Sequence, residues 1–471
     1  MNPKAAISIL LSVVLIFSIS ISGPGCANIV PPQGGPRDSL PPQLEKADPR
    51  DSAIHFTGNK ISFTFDEYVD AQNAQQELLV SPTPGINPTV EYRLKTVTVR
   101  LKDTLDANTT YILNFGNGIR DYNEGNVLKG FTYIFSTGAT IDSFEIHGRV
   151  LLAETGTTDS TLIVMLHKSA SDSAVIKEKP RYIAKLDGNG NFVFKNLPSG
   201  TFYLYALRDD GGTHRYLDRK QLFAFADKPV LTSKKNDVTT LYAFGNDEEK
   251  KQVVAIPVLR KGIRETEDKR LKWLTNLTGN QLGLQEDLII SFEQPVRVFD
   301  SSKTRLTADS SFTPIDSTLF TKDSTGRKIR FSCSWKENTA YHLVLEKEFA
   351  EDSSGRKLLK TDTLNFRTRS KSDYGTVLLH FRNLDPGKNP VLLFIQGGEV
   401  RKSYPLSSAD FSQSLFLPGE YQLRILNDGN RNGKWDPGDF FGRHKQPEIV
   451  TPIDRRITVK PAIENEFEIA L

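Results

Sequence analysis

Apolar and polar residues alternate along most of this chain. Ile61, Phe63 and Phe65 fall on one face of a segment, as do Val97, Val99 and Leu101, and then Tyr111, Leu113 and Phe115. A period of two places alternate side chains on one side of an extended backbone, so these runs predict half-buried strands. Turn-forming clusters break the runs: Ser81-Pro82-Thr83-Pro84-Gly85, Asp106-Ala107-Asn108, Gly116-Asn117-Gly118 and Asn123-Glu124-Gly125. Many short strands between closely spaced turns predict an all-β chain of β-sandwiches. The one competing helical pattern is short and charged, from Arg264 to Leu274.

The pattern also repeats. Phe65-Asp66-Glu67-Tyr68-Val69 is echoed by Phe292-Glu293-Gln294-Pro295-Val296, and Ala107-Asn108-Thr109-Thr110-Tyr111 by Glu337-Asn338-Thr339-Ala340-Tyr341. A second pair matches Phe194-Lys195-Asn196-Leu197-Pro198-Ser199-Gly200 with Leu415-Phe416-Leu417-Pro418-Gly419. Echoes that keep their order at an offset of about 220 to 230 residues are the mark of duplicated modules, here in the order A-B-A-B. The boundaries this implies are 43–139 for the first A module and 140–245 for the first B module. After a linker over 246–269 come the second A module at 270–370 and the second B module at 371–471.

Ahead of these modules lies a different kind of sequence. Lys4 precedes an apolar run from Ala5 to Ile21, which closes on Gly23-Pro24-Gly25-Cys26-Ala27. A basic start, an apolar core and small residues before a cysteine read as a lipoprotein export signal over 1–25, with lipid carried on Cys26. A typical lipobox has leucine where Gly23 stands, so plain secretory cleavage near Gly25 stays open, as does a short transmembrane anchor. Residues 26–42 are rich in proline and glycine and predict an extended tether.

Composition narrows the function. Cys26 and Cys333 are the only cysteines, so a lipidated Cys26 leaves no intramolecular disulfide. The net charge of +3 arises from interspersed Lys, Arg, Asp and Glu without a basic block, which argues against nucleic acid as a partner. The seven histidines are scattered singly, and the sequence lacks a zinc-protease helix, a nucleophile elbow and a P-loop. Alternation with Phe331 and Trp335 reads Cys333 as a buried, inert thiol.

The residues resemble known families. Ile61-Ser62-Phe63-Thr64-Phe65-Asp66-Glu67, Leu105 to Tyr111 and Phe131 to Gly138 look like the bacterial Ig-like domain first defined in S-layer proteins. The second A module departs from that pattern, closing on Thr363 to Thr368 without the terminal glycine. Asp187-Gly188-Asn189-Gly190-Asn191-Phe192, followed by Leu197-Pro198-Ser199-Gly200-Thr201, is similar to carboxypeptidase-regulatory-like, or prealbumin-like, β-sandwiches. With its leader, the whole resembles Bacteroidetes-type lipoproteins. That resemblance implies an outer-membrane address, and the absence of an acidic run after Cys26 tilts it toward the periplasmic face. It implies a binding, spacer or scaffold role without catalysis. The partners would be the membrane through Cys26 and an envelope protein or a polysaccharide. An enzyme-associated or catalytic lipoprotein, with a site assembled between modules, is the second reading.

One motif carries specific chemistry. In Asp428-Gly429-Asn430-Arg431-Asn432-Gly433-Lys434-Trp435-Asp436-Pro437-Gly438-Asp439, oxygens recur at the spacing of an EF-hand-type calcium loop. The expected ligands are Asp428, Asn430, Asn432, the Lys434 carbonyl, Asp436 and Asp439, with calcium in a structural role. The same residues also suit a polar hairpin turn. The flanks read as strands, and the matching loop of the first B module keeps Asp209 but carries Gly211 and Thr213 in place of the asparagines. Trp435 is expected to pack back on its own hairpin, and Asp187 to Asn191 to be a simple turn.

Overall fold

The computed structural model describes residues 37–233, 238–246, 270–308, 313–315 and 318–471. The leader, Cys26, most of the tether and most of the linker lie outside the described residues. The chain is nearly all β, as the alternation predicts. It divides into two compact units, one of residues up to Val80 with Pro84–Ala139, the other of Thr140–Leu471 with Ser81–Thr83. Among the described residues no helix is long and apolar enough to cross a membrane.

In the first unit the alternating residues meet in one core. Strands Leu44–Asp48, Lys60–Phe65, Thr96–Arg100 and Thr89–Arg93 form one sheet in that order, and Leu79–Ser81, Thr110–Asn114 and Thr132–Ser136 form the facing one. Phe63, Phe65, Val97, Val99, Leu113 and Phe115 are wholly buried between them. Part of the expected tether is not free. The Asp38 carbonyl accepts from Asn126 Nδ2 at 3.2 Å, and Arg37 donates to the Glu124 carbonyl at 3.3 Å.

The second A module repeats the bonds that close the first. Tyr111 Oη accepts the Asp106 N–H at 2.8 Å, and Tyr341 Oη accepts the Lys336 N–H at 2.9 Å, a tyrosine corner in each copy. Thr137 Oγ1 accepts from Thr109 N and donates to the Asp106 carbonyl. Thr368 Oγ1 makes the same two bonds to Thr339 and Lys336. Thr368 thus fills the closing position without the glycine that follows Thr137. Asn108 and Asn338 take left-handed backbone at the same turn, a conformation asparagine tolerates. The expected charged helix is not seen where it can be tested: Trp273–Thr275 is a strand, and residues 264–269 lie outside the described set.

The B modules share a topology as well. A long first strand, Phe144–Leu152 or Gly375–Arg382, pairs antiparallel on one side with Asn191–Leu197 or Asp410–Phe416. On its other side it pairs parallel with Thr239–Ala243 or Glu464–Ala470. The facing sheets run Tyr182–Lys185, Leu162–His167, Thr201–Arg208, Phe223–Phe225, and Glu399–Pro405, Pro390–Gln396, Gly419–Asn427, Ile449–Val459.

These two sandwiches do not stand apart. The outer face of the Leu162–His167 and Thr201–Arg208 sheet carries Met165, Tyr205, Leu207, Phe223 and Phe225, all buried, and what buries them includes Phe440 of the second B module. Phe440 lies 5.1 Å from both the Phe223 and Phe225 rings and 5.7 Å from Tyr205, while Phe441 stacks on Tyr216. Val450 N donates to the Ala153 carbonyl at 2.9 Å, and Gln446 Nε2 donates to the Phe225 carbonyl and to Asp227. Two glycines permit the approach. A Cβ at Gly156, which also has φ +68°, would sit 2.3 Å from Pro452, and one at Gly438 would sit 2.6 Å from Phe244.

Candidate functional site

The segment that closes this seam is the calcium-type loop. It leaves the strand Gly419–Asn427 and returns into Ile449–Val459, so its ends are fixed by two paired strands. Asp428 is 2% exposed, and its carboxylate accepts from the Asn432 and Gly433 N–H groups, closing the first turn. Gly433 takes φ +74° at the position where such a loop needs its sharp bend. Asn430 Nδ2 and Asn432 Nδ2 both donate to Asp436 Oδ2, the latter at 2.7 Å. Four of the expected ligands, Asp428, Asn430, Asn432 and Asp436, are therefore drawn into one hydrogen-bonded loop. The Lys434 N–H donates to Asn432 Oδ1, which fixes the course of the backbone there.

Asp439 is held elsewhere. Its N–H and carbonyl exchange hydrogen bonds with Lys445, and its carboxylate lies 3.9 Å from Arg443. A helix would carry the twelfth position back toward the loop; here the chain turns into the seam instead. Glu448 reaches the loop instead. Its Oε1 accepts from Gly429 N at 2.8 Å and its Oε2 from Asp436 N at 3.1 Å, so it spans the two ends of the loop. Burial pushes the Glu448 carboxyl above its ordinary range, and the negative charges of Asp428 and Asp436 push the same way.

The donors suit a hard cation in kind, being carboxylates and amides. Turning the Asn430 and Asn432 amides would present oxygen where nitrogen now faces Asp436. Among the described residues no three His, Cys, Asp or Glu side chains already stand at metal-holding distance. In the first B module, Asp209 is satisfied without any ion: it accepts from Thr213 N, His214 N and His214 Nδ1. Asp187 likewise accepts from Asn189 N and Asn191 N, as a turn residue does.

Trp435 packs back on its own hairpin, donating from Nε1 to the Glu448 carbonyl at 2.7 Å, but it also borders the shared aromatic cluster. Cys333 is half-buried, and burial raises its thiol to about 11, which keeps it protonated and unreactive at neutral pH. A cavity of about 410 Å³ lies where the second A and B modules meet, beside the hydrogen bond from Leu284 N to Tyr374 Oη. Its walls include Tyr404, Arg401, Lys402 and a single carboxylate, Glu286, which does not make an acid–base pair.

No curated protein matches the chain. Among solved structures it is similar to the N-terminal part of the bacterial S-layer protein SbsC, at 19% identity over 44% of this chain and 44% of that one, with a TM-score of 0.16. The chain thus spans less than half the length of that relative. It is similar to BcpA, the major pilin subunit of Bacillus cereus, at 8% identity over 70% of this chain and 99% of that one, TM-score 0.18. An L,D-transpeptidase from Mycobacterium smegmatis is similar at 15% identity over 35% of this chain and 60% of that one, TM-score 0.16. Scores this low leave the weight on the family comparison: residues 38–137, which hold the first tyrosine corner, match the model of the bacterial Ig-like domain.

Proposed function

We propose that this chain is a non-catalytic structural and binding protein of the cell envelope, a lipoprotein tethered through Cys26 to the periplasmic face of the outer membrane. The observation that carries the reading is the seam. Duplicated sandwiches that share an aromatic core behave as one stiff body, which is what a spacer or scaffold needs and a flexible string of beads cannot provide. The Ig-like domain over residues 38–137 fits the same role. Feeding radioactive fatty acid tests the tether: label is expected on the wild-type protein and not on Cys26→Ser, which leaves the outer-membrane fraction. An unlabelled wild type, or a Cys26→Ser protein still in that fraction, overturns it.

Calcium belongs to this reading as a clamp on the seam. Asp428, Asn430, Asn432, Asp436 and Glu448 would hold it, replacing carboxylate repulsion at Glu448 with attraction. Ligand linkage then makes the full chain more stable by about 2.7 kcal/mol at a hundredfold excess of calcium over its Kd. EDTA is expected to lower the melting temperature, and Glu448→Gln to remove most of that response. A melting temperature indifferent to chelation rejects the metal and leaves a polar hairpin.

A further inference from the structure

The first A module carries a surface that its duplicate lacks. Tyr68, Tyr92, Leu94 and Tyr122 are 51%, 43%, 63% and 70% exposed. They come from separate turns and strands, yet the backbone brings them together. Tyr122 N donates to the Tyr68 carbonyl at 2.9 Å, and Val69 N donates to the Leu94 carbonyl at 3.0 Å. Tyr92 lies beside the Asp70 carboxylate, which holds Arg120, the neighbour of Asp121 and Tyr122 in sequence.

The second A module serves as an internal control. Ser353 N donates to the Pro295 carbonyl, and Val296 N to the Gly326 carbonyl, the same two bonds in the same places. Register gives the fourth match: Tyr92 lies opposite Val97, itself opposite the core residue Phe63, and Lys322 lies opposite Ile329, itself opposite Ile290. Where one copy has Tyr68, Tyr92, Leu94 and Tyr122, the other has Pro295, Lys322, Gly326 and Ser353. The scaffold therefore folds without any of the four apolar residues.

Leu94 sharpens the contrast. Its φ is +54°, in the left-handed region, and the duplicate meets the same requirement with Gly326 at +68°. A leucine in that conformation costs on the order of 1 kcal/mol or more, and a side chain left mostly exposed recovers little of that by burial. A strained, exposed apolar residue on a platform of exposed tyrosines calls for an occupant.

The surroundings select what that occupant is. Glu67 sits beside the platform, and its carboxyl is raised, first by burial and then by the negative charges of Asp121, Asp66, Asp38 and Glu124. Arg120 pairs with Asp70 and Lys95 with the Asp66 carbonyl, and Arg93 is exposed beside Leu94, so the rim carries both signs and offers anionic lipid or a polyanion no net attraction. The four side chains expose on the order of 100 Å² each, about half of what one side of a standard protein interface buries. Acidic residues are also depleted from protein interfaces. Flat rings with hydroxyls, bordered by carboxylate acceptors and by guanidinium and ammonium donors, suit the apolar faces and hydroxyl groups of uncharged sugar rings.

We propose that Tyr68, Tyr92, Leu94 and Tyr122 form a docking platform for an uncharged polysaccharide chain. The proposal goes beyond the tethered scaffold, because it gives the first sandwich a ligand that the second does not take. It is tested with the full chain on an array of neutral glycans, with calorimetry on the strongest binder and with alginate and anionic phosphatidylglycerol vesicles in parallel. A neutral glycan is expected to bind, with Tyr122→Ala and Tyr68→Ala each weakening it about tenfold. Installing the duplicate's residues, Tyr68→Pro, Leu94→Gly and Tyr122→Ser together, is expected to abolish binding without lowering the melting temperature. Silence across the neutral glycans, binding that survives the triple change, or binding confined to alginate or vesicles each overturns the proposal. Lipid labelling at Cys26 reads the scaffold separately, so the two cannot fail as one.

Discussion

Phe440→Ala is expected to destabilise the chain by about 3–5 kcal/mol, the range for removing a buried phenylalanine. Phe440 is 4% exposed, although it lies in a loop and outside every strand. Its ring contacts Tyr205, Phe223 and Phe225, which belong to the other B module, together with Phe441 and His444 of its own loop. Truncation leaves a void that two separate sheets must close, and neither can move without breaking the backbone bond from Val450 to Ala153. The check is denaturant unfolding followed by tryptophan fluorescence, since Trp435 borders the seam while Trp273 and Trp335 pack in the second A module. A loss below about 1 kcal/mol, typical of a change away from any core, would mean that the seam does not form in solution.

The fold class was legible because each sandwich keeps its alternation: Ile61, Phe63 and Phe65 are buried, and Ser62 and Thr64 between them are not. The duplication was legible in part for the same reason, since the tyrosine corners sit in the echoed segments at Tyr111 and Tyr341. The seam was written in a different signal. Leu162-Ile163-Val164-Met165-Leu166 and Val391-Leu392-Leu393-Phe394-Ile395 are unbroken apolar runs, and such a run marks a strand buried on both faces. Alternation alone predicts one buried face and is silent on a partner for the second.

The loop shows a similar limit. Spacing drew Asp428, Asn430, Asn432 and Asp436 together because they are local, and it carried the same count on to Asp439, which the turn into the seam holds apart from them. Glu448 reaches the loop only because the chain turns back into Ile449–Val459, a tertiary fact with no fixed spacing. The exposed tyrosines were missed for another reason. Tyrosine is a good strand former, and nothing local separates a ring that packs from one that does not.

Acid is expected to weaken the protein before its hydrogen-bonded buried carboxylates Asp121 and Asp352 titrate, through His167. This residue closes the strand Leu162–His167, is 1% exposed, and among the described residues has no hydrogen-bond partner for its Nε2; the Tyr205 ring meets it edge-on at 5.6 Å. Burial alone drops its pKa to about 4, against about 6.5 in an unfolded chain. Between those values the unfolded state binds a proton that the folded state refuses, so stability rises with pH and is complete above about 6.5. Going down, the loss reaches about 2.5 kcal/mol by pH 4.5. Asp121 and Asp352 do not share this window. Burial would raise each carboxyl, but backbone N–H groups, with Arg356 at Asp352, hold both below the ordinary value, so their contribution fades only below about pH 4. His380 has the opposite sign, since Asp410 and Glu466 favour its charged form and its support fades as pH rises. Unfolding free energies of wild type and His167→Phe at pH 7 and pH 4.5 separate these groups. The wild type is expected to lose most of the 2.5 kcal/mol and the variant to keep it, because a phenyl ring fills the site and binds no proton. Equal losses in the two proteins would place the acid sensitivity elsewhere.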